Sequence, residues 1–305
     1  MPSATERVGR LAPSPTGALH LGNIRTFMAA WLQMRAAGGR VLLRIEDLDH
    51  PRHKPGADLA LMEDLRWLGF DWDGDPEWQS RRSALYAEAL ARLRPSLYPC
   101  WCSRADILGA QSAPHPGEVL RYPGACRGRT APPPPGRTPA WRLALSPEDG
   151  GAFRDGFAGD FPRTADAVTG DFVVARGDEP AYALAVVVDD AATGVTDVVR
   201  GDDILPVTPA QNVLYRRLGL PAPRFFHLPL VVGSDRLRLA KRHGDTRIAA
   251  YRAAGVAPGR ILTALARSCG WLAPGERVER LAELIPRFSF EAIPREPLVW
   301  SDALL

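Results

Sequence analysis

Three groups of residues in this chain have types and spacings that could do chemistry. The first is His20-Leu21-Gly22-Asn23, placed where a strand-turn-helix unit puts the start of a helix. A helix start presents unpaired backbone N–H groups and a partial positive charge, and both favour phosphate. An imidazole and an amide there add directional donors, and Gly22 lets a flat base approach the backbone. A histidine that simply caps an ordinary helix is the alternative. The second group is Cys100-Trp101-Cys102 followed by Tyr122 and Cys126. Three thiolates and one oxygen ligand would complete a zinc tetrahedron, and the 19 residues between Cys102 and Tyr122 are ample to wrap back. On residue type alone, free or redox-active thiols are an equal alternative. The third is Lys241, one of two lysines (with Lys54) among 38 basic residues. It sits in a polar loop, where an ammonium on a flexible stem could follow charge moving between phosphates; a solvent-facing lysine is the alternative.

The elements that must position these residues follow from the apolar pattern. Residues 7–12 read as a short strand that ends at Pro13-Ser14-Pro15-Thr16-Gly17, a density of Pro and Gly that forces an ordered loop. Helical spacing covers residues 19–37 (Leu19, Ile24, Phe27, Trp31, Leu32, Met34), and Gly38-Gly39 ends it. Residues 41–45 are nearly continuous in apolar side chains, as buried parallel strands are. Residues 55–68 are helical, with Leu59, Leu61, Met62, Leu65 and Leu68 on or near one face. Strand, loop, helix, strand, helix opens a parallel α/β sheet. From residue 98 to about 139 the chain is rich in Pro, Gly, Cys and Arg, with little core of its own, so that a metal there would contribute folding energy outright. Strand character returns at residues 172–174 and 182–188 and again at 228–232, with a helix at 209–218 between the last two. The tail from residue 249 carries amphipathic segments such as 261–269, on which Cys269 reads as core.

The run Arg10-Leu11-Ala12-Pro13-Ser14-Pro15-Thr16-Gly17 through His20-Leu21-Gly22-Asn23 resembles the nucleotide-binding signature of class I glutamyl-tRNA synthetases. Leu43-Arg44-Ile45-Glu46-Asp47-Leu48-Asp49 is similar to that family's next strand and turn, and Val199-Arg200-Gly201-Asp202-Asp203 to a later one. Arg238-Leu239-Ala240-Lys241-Arg242 stands where the family carries a mobile Lys-containing loop, with Arg238 and Ala240 departing from its Lys and Ser. The resemblance implies an α/β fold: a class I aminoacyl-tRNA synthetase-like Rossmann catalytic domain in two halves (1–97 and 140–248), a zinc-bearing insertion (98–139) and a small helical C-terminal region (249–305).

The same resemblance implies the roles of individual residues. Arg10 and Arg200 would grip the carboxylates of L-glutamate through paired guanidinium hydrogen bonds, Glu46 would hold its α-ammonium, and Tyr182 and Ser14 would line the pocket. His20, Gly22, Asn23 and Lys241 would bind ATP, with Mg²⁺ on its phosphates, His20 and Lys241 making the catalytic contacts. Asp47, Asp49, Asp202 and Asp203 would brace loops. Cys100, Cys102, Tyr122 and Cys126 resemble the zinc site of the family's short paralogue, three Cys and one Tyr holding one structural zinc per chain. The limited length after the Lys loop agrees with that paralogue. It implies tRNA-independent activation of glutamate, then transfer to queuosine at the wobble position of the tRNA(Asp) anticodon arm, by a monomeric cytoplasmic enzyme. Arg121, Arg127 and Arg129 are candidates for the RNA-facing surface. A truncated glutamyl-tRNA synthetase charging tRNA(Glu), or a non-catalytic regulatory paralogue, are the alternatives.

Composition bounds the remainder. A chain of 305 residues, 46% hydrophobic and 24% charged, suits about two folded domains. With 28 Gly and 29 Pro it stays short of the composition of disordered chains. A net charge of +3 and a pI near 8.8 permit an anionic partner. The longest apolar run, residues 183–188, is far below the ~20 needed to span a bilayer, and the N-terminus has no apolar core of the secretory kind.

Overall fold

The computed structural model describes residues 6–49, 54–109, 120–130, 134–237, 239 and 245–305. The chain forms two compact units. One comprises Met1–Arg81, Val195–Asp203 and Arg224–Leu305; the other comprises Arg82–Gly194 and Ile204–Pro223. The chain enters the first unit with β1 (Val8–Leu11), α1 (Leu21–Ala36), β2 (Arg40–Ile45), α2 (Ala57–Trp67) and β3 (Glu77–Trp78). It then builds most of the second with α3 (Ser83–Leu93), β4 (Leu97–Cys100), α4 (Arg104–Gly109), β5 (Ala140–Leu143), β6 (Phe153–Asp155), β7 (Gly159–Phe161), α5 (Ala165–Val168), β8 (Val173–Arg176), β9 (Glu179–Pro180) and α6 (Tyr182–Ala192). Strand β10 (Asp197–Gly201) returns to the first unit, and α7 (Thr208–Arg217) belongs to the second. The first unit closes with β11 (Arg224–Leu228), β12 (Val231–Val232), α8 (Ile248–Ala253), α9 (Pro258–Ser268) and β13 (Leu298–Val299).

In the first unit β1 pairs parallel with β2, from Val8 opposite Arg40 to Leu11 opposite Leu43, and β2 pairs parallel with β3. On its other side β1 meets the chain entering β10: the Thr196 N–H donates to the Val8 carbonyl at 2.8 Å, and the Val8 N–H donates to Thr196 Oγ1 at 3.0 Å. Further along, Arg10 reaches the Val199 carbonyl, so β1 and β10 ascend together. Strand β11 runs parallel to β10. The order β3-β2-β1-β10-β11 therefore turns at β1, and in open parallel sheets the crevice beyond the carboxyl ends at such a turn is where ligands bind. Val8, Leu11, Val41, Leu43, Ile45, Val198 and Val199 are all buried, as expected of parallel strands covered on both faces. Helix α1 contributes Leu21, Ile24, Met28, Ala29, Trp31, Leu32 and Met34 to the same core.

The carboxylate of Asp197 fixes this arrangement. Its side chain has no exposure to water. It accepts from Arg7 Nη2 at 3.0 Å, Gln33 Nε2 at 3.3 Å and Thr196 Oγ1 at 2.6 Å, and pairs with Arg224 Nη2 at 2.7 Å. Those donors come from beside β1, from α1, from the start of β10 and from β11. One buried anion thus ties together the helix and the strands on which the candidate site stands.

The second unit is built on a four-stranded antiparallel sheet in the order β4-β5-β8-β9, with the β6–β7 hairpin apart from it. Helix α6 corrects the expectation of a strand at 182–188. It is helical from Tyr182 to Ala192 and buries every residue from Ala183 to Asp190. A helix enclosed on all sides shows no 3.6-residue alternation, and its β-branched valines imitate a buried strand. Within it, Asp189 is held by Arg82 Nε at 2.7 Å and the Tyr86 hydroxyl at 2.9 Å. Two smaller expectations also change in the first unit. The strand expected at 228–232 is interrupted by Pro229 and Leu230 and becomes the end of β11 followed by β12. In α2, Leu61, Met62, Leu65 and the adjacent Leu68 are buried, whereas Leu59 is 64% exposed; two residues, about 200° of helix rotation, separate it from Leu61.

Replacing Asp197 by Ala leaves Arg7, Gln33 and Arg224 without their shared acceptor. The expected cost is about 3–5 kcal/mol, read as a lowered midpoint in urea denaturation. A midpoint within error of the parent's would show that the anion does not hold the strands.

Candidate functional site

At the carboxyl edge of the parallel sheet the fold gathers most of the residues singled out above. Arg10, near the end of β1, is 6% exposed and donates from Nη1 to the Val199 carbonyl at 3.2 Å. Arg200, at the end of β10, is 5% exposed and donates from Nε to His227 Nε2 at 2.8 Å, with its guanidinium 5.0 Å above the Phe225 ring. Glu46 follows directly on β2; its carboxylate takes an ion pair from the buried Arg44 at 3.0 Å. The Glu46 N–H donates to the Pro13 carbonyl at 2.9 Å and the Lys54 N–H to the Pro15 carbonyl at 3.3 Å, so the Pro-rich loop is fastened to the neighbouring turn. Ser14 lies exposed on that loop. Asp47 braces a turn, accepting from the Ser80 N–H at 2.8 Å and its hydroxyl at 2.6 Å. Burial, and then the charge of Asp203, hold the Asp202 carboxyl above its usual range.

His20 caps α1. Its Nδ1 accepts from the N–H groups of Gly22 at 3.1 Å and Asn23 at 3.4 Å, and Asn23 Oδ1 accepts the His20 N–H at 3.1 Å. This reciprocal box fixes Nδ1 as an acceptor, which sets the ring in the tautomer whose proton is on Nε2. Gly22 leaves the ring room: a Cβ there would stand 3.0 Å from His20 Cε1 and 3.1 Å from its Nδ1, a contact to which the imidazole would have to yield. The chain beyond the Lys loop clasps the same helix start, with the Leu21 N–H donating to the Thr246 carbonyl at 3.1 Å and the Ile248 N–H to the Leu19 carbonyl at 2.9 Å. Lys241, with Arg238 and Ala240, lies outside the described residues. Tyr182 opens α6 in the second unit and is 43% exposed.

In the second unit, Cys100, Cys102 and Cys126 place their sulfurs within 4.8 Å of one another. Cys102 and Cys126 Sγ are 3.5 Å apart, and the Tyr122 hydroxyl stands 3.4 Å from Cys100 Sγ and 4.0 Å from Cys102 Sγ. Ligand atoms around a tetrahedral zinc stand roughly 3.5–3.8 Å apart, given bond lengths of about 2.3 Å to sulfur and 2.0 Å to oxygen. The four side chains therefore suit a single metal ion. Cys100, Tyr122 and Cys126 form a small buried cluster, with Tyr98, Cys102 and Ile107 packed on it. Burial pushes the Cys102 thiol up to about 12, helped by its two neighbours, and pushes the Tyr122 phenol up as well. Burial acts the same way on Cys126, but the hydrogen bonds it receives from the Trp101 N–H and the surrounding ligand groups prevail and bring it down to about 7. Beneath the cluster, the Asp171 carboxylate accepts from the Tyr98 hydroxyl at 2.7 Å and the Leu145 N–H at 2.8 Å.

Sequence reasoning missed His227, Asp197 and Asp171. His227 was accessible in principle, because it lies directly opposite Arg200 once β10 and β11 are paired in register. Of the arginines considered for an RNA surface, Arg121 binds Asp166 at 2.8 Å and Arg127 reaches the Leu145 carbonyl and Asp171. Arg129 lies 5.5 Å over the Trp101 ring, beside the sulfur cluster.

The model of tRNA synthetases class I (E and Q), catalytic domain, matches residues 7–293. The Glutamyl-Q tRNA(Asp) synthetase of Symbiobacterium thermophilum is 50% identical over 95% of this chain and 94% of its own length. Glutamate--tRNA ligase 1 of Acidithiobacillus ferrooxidans is 38% identical over 96% of this chain and 65% of its own. The crystal structure of a glutamate-tRNA synthetase from Elizabethkingia anophelis superimposes with a TM-score of 0.82 at 25% identity, over 98% of this chain and 69% of that one. The chain belongs to the class I glutamyl- and glutaminyl-tRNA synthetase family and, within it, to the short glutamyl-Q tRNA(Asp) synthetases. It is a ligase with an aminoacyl-tRNA synthetase-like catalytic fold.

The capping geometry predicts how His20 divides its roles. His20→Ala should cost about 1 kcal/mol of stability through loss of the cap. His20→Asn, which restores a short acceptor at the same position, should recover most of it. Thermal melts of the two variants check this, and equal melting temperatures would argue against a structural share for the imidazole.

Proposed function

We propose that the enzyme activates L-glutamate with ATP in the absence of tRNA, and then passes the glutamyl group to queuosine at the wobble position of tRNA(Asp). The observation that carries the amino acid side of this reading is the placement of two buried arginines, Arg10 and Arg200, at the carboxyl ends of adjacent parallel strands, with Glu46 ending the next. Glutamate offers two carboxylates and one ammonium, and that set of two cations and one anion matches it. His227 holds the Arg200 guanidinium from its Nε, which directs the remainder of the fork. Ser14 would add a hydroxyl donor, and the family resemblance assigns Tyr182 a share in binding glutamate.

In the first step the glutamate α-carboxylate oxygen attacks the α-phosphorus of ATP. The bond to the bridging oxygen breaks, and pyrophosphate leaves with its electron pair. No covalent bond to the enzyme is needed; alignment and charge stabilisation supply the rate. His20, with Nδ1 engaged in the cap, would offer Nε2–H to the phosphates, beside the backbone N–H groups of the α1 start. Gly22 and Asn23 would shape the nucleotide site, and Lys241 would follow the departing pyrophosphate. Mg²⁺ bound with ATP would neutralise phosphate charge. In the second step a hydroxyl of the cyclopentene-diol of queuosine attacks the acyl carbon, loses its proton and displaces AMP. The choice of tRNA(Asp) is supported by the higher identity to the glutamyl-Q enzyme, 50% against 38% for the glutamate-tRNA ligase.

The sulfur cluster is assigned one structural zinc, held by Cys100, Cys102, Tyr122 and Cys126. When bound, the ion supplies cross-linking to a region with little core of its own. A monomer in a reducing cytoplasm completes the proposal, in keeping with four cysteines that form no disulfide.

Pyrophosphate exchange dependent on glutamate, with no tRNA present, tests the first step. Arg200→Ala should raise the glutamate requirement at least tenfold while leaving the melting temperature near the parent's, and an unchanged requirement would remove Arg200 from the pocket. His20→Asn should slow exchange although it keeps the cap. Mapping radiolabelled glutamate after incubation with queuosine-containing tRNA(Asp) and with tRNA(Glu) decides the acceptor: label at the wobble nucleoside of tRNA(Asp) supports the reading, label at the 3′ end of tRNA(Glu) favours an ordinary synthetase, and no exchange at all favours a regulatory paralogue. Metal analysis of the purified protein should find about one zinc per chain.

A further inference from the structure

A phenol is an uncommon zinc ligand, and the protein holds Tyr122 from every side. Its N–H donates to the Thr169 carbonyl at 2.8 Å. Its own carbonyl passes so close to Gly170 that a Cβ there would collide with it, and Gly170 also has a left-handed φ of 61°. Its hydroxyl oxygen accepts the Cys126 N–H at 2.7 Å. The ring face is covered by the Arg142 guanidinium, whose Cζ lies 3.5 Å from the ring centroid. Arg142 is buried on β5, a strand paired on both sides, and its Nη1 donates to the Asp171 carbonyl at 2.7 Å. The guanidinium is therefore a rigid plate carried by the sheet, and not a mobile surface cation.

We propose that Arg142 is a positioning residue for the metal centre: stacked on Tyr122 and anchored to Asp171, it keeps the phenol oxygen at the fourth corner of the cysteine set. This rests on the zinc assignment above. The neighbours that orient a ligand shape metal retention and coordination nearly as much as the ligand itself, and a planar guanidinium fills the role in a way a lysine ammonium does not.

The test uses the full chain as the parent protein and as Arg142→Met, Arg142→Lys, Tyr122→Phe and the Tyr122→Phe/Arg142→Met double variant. Zinc retention is measured by competition with a chromophoric chelator, and coordination by the ligand-field bands of the cobalt(II)-substituted proteins. Arg142→Met is expected to weaken zinc retention about ten- to a hundredfold and to move the cobalt bands toward those of Tyr122→Phe. Arg142→Lys should fall between it and the parent. In the Tyr122→Phe background, Arg142→Met should change retention little, because its route to the metal is already gone. Parent-like retention and bands in Arg142→Met overturn the inference; so does an equal loss in both backgrounds, which would mean that Arg142 acts on the fold. If Arg142→Met does not fold, Arg142→Lys alone and combined with Tyr122→Phe carries the same comparison. A parent protein that retains no zinc defeats the metal assignment itself and this inference with it, whereas a zinc-bearing parent with indifferent Arg142 variants defeats only the inference.

Discussion

A carboxylate with no access to water, Asp197, is the constraint on which the first unit depends. Burying an unpaired anion costs several kcal/mol, so Asp197 is tolerable only while Arg7, Gln33, Thr196 and Arg224 converge on it. That convergence requires α1 to pack against the sheet and β10 to lie between β1 and β11. Once those elements are fixed, Arg10 and Arg200 come to adjacent strand ends and His20 to the head of the helix after β1. The residues assigned to substrate are thus held by a residue that stands at the opposite end of β10 from Arg200.

The two candidate centres are organised on different physical grounds. The sheet edge inherits its geometry from parallel strand register, and its polar groups are supported by backbone carbonyls and a histidine within a large apolar core. Among the described residues, the sulfur cluster has only a small apolar patch around it. There the order comes from directional contacts: a peptide N–H to the phenol oxygen, a guanidinium on the ring, and a buried carboxylate beneath. The same contrast explains the thiol of Cys126, where hydrogen bonds outweigh burial, beside that of Cys102, where burial prevails.

Much of this was legible in the sequence wherever local chemistry and local structure coincide. The Pro-Gly loop, the helix begun by His20 and the continuous apolar run of β2 are each read from a few neighbouring residues, and the structure keeps them. Cys100, Cys102 and Cys126 are grouped with Tyr122 by the family resemblance, and the structure brings the three sulfurs within 4.8 Å of one another. What failed was whatever depends on surroundings. Helix α6 reads as a strand in the sequence because complete burial erases the alternation that separates the two. Leu59, counted with the apolar residues on or near one face of α2, turns about 200° away from Leu61 and is exposed. Asp197, His227 and Asp171 carry no local signal, since each matters mainly through partners far away in the chain.

Arginine shows why the site could not be sorted by residue type. Lysine is almost absent from this protein, so guanidinium groups serve nearly every cationic role. Arg25, buried in α1, ties the Pro229 carbonyl at 2.8 Å and the Ser268 hydroxyl at 3.3 Å; Arg82 neutralises a buried aspartate; Arg142 plates a tyrosine ring. Arg10 and Arg200 are buried and hydrogen-bonded like Arg25 and Arg142, so neither burial nor hydrogen bonding marks them as ligand-binding. Position does. They stand at carboxyl ends of parallel strands on either side of the point where strand order turns, and that is the one place in such a sheet where a buried cation faces a crevice and not a core. The planar fork that makes arginine a good structural clamp also makes it a good carboxylate receptor, and in this chain the fold, not the side chain, decides between the two.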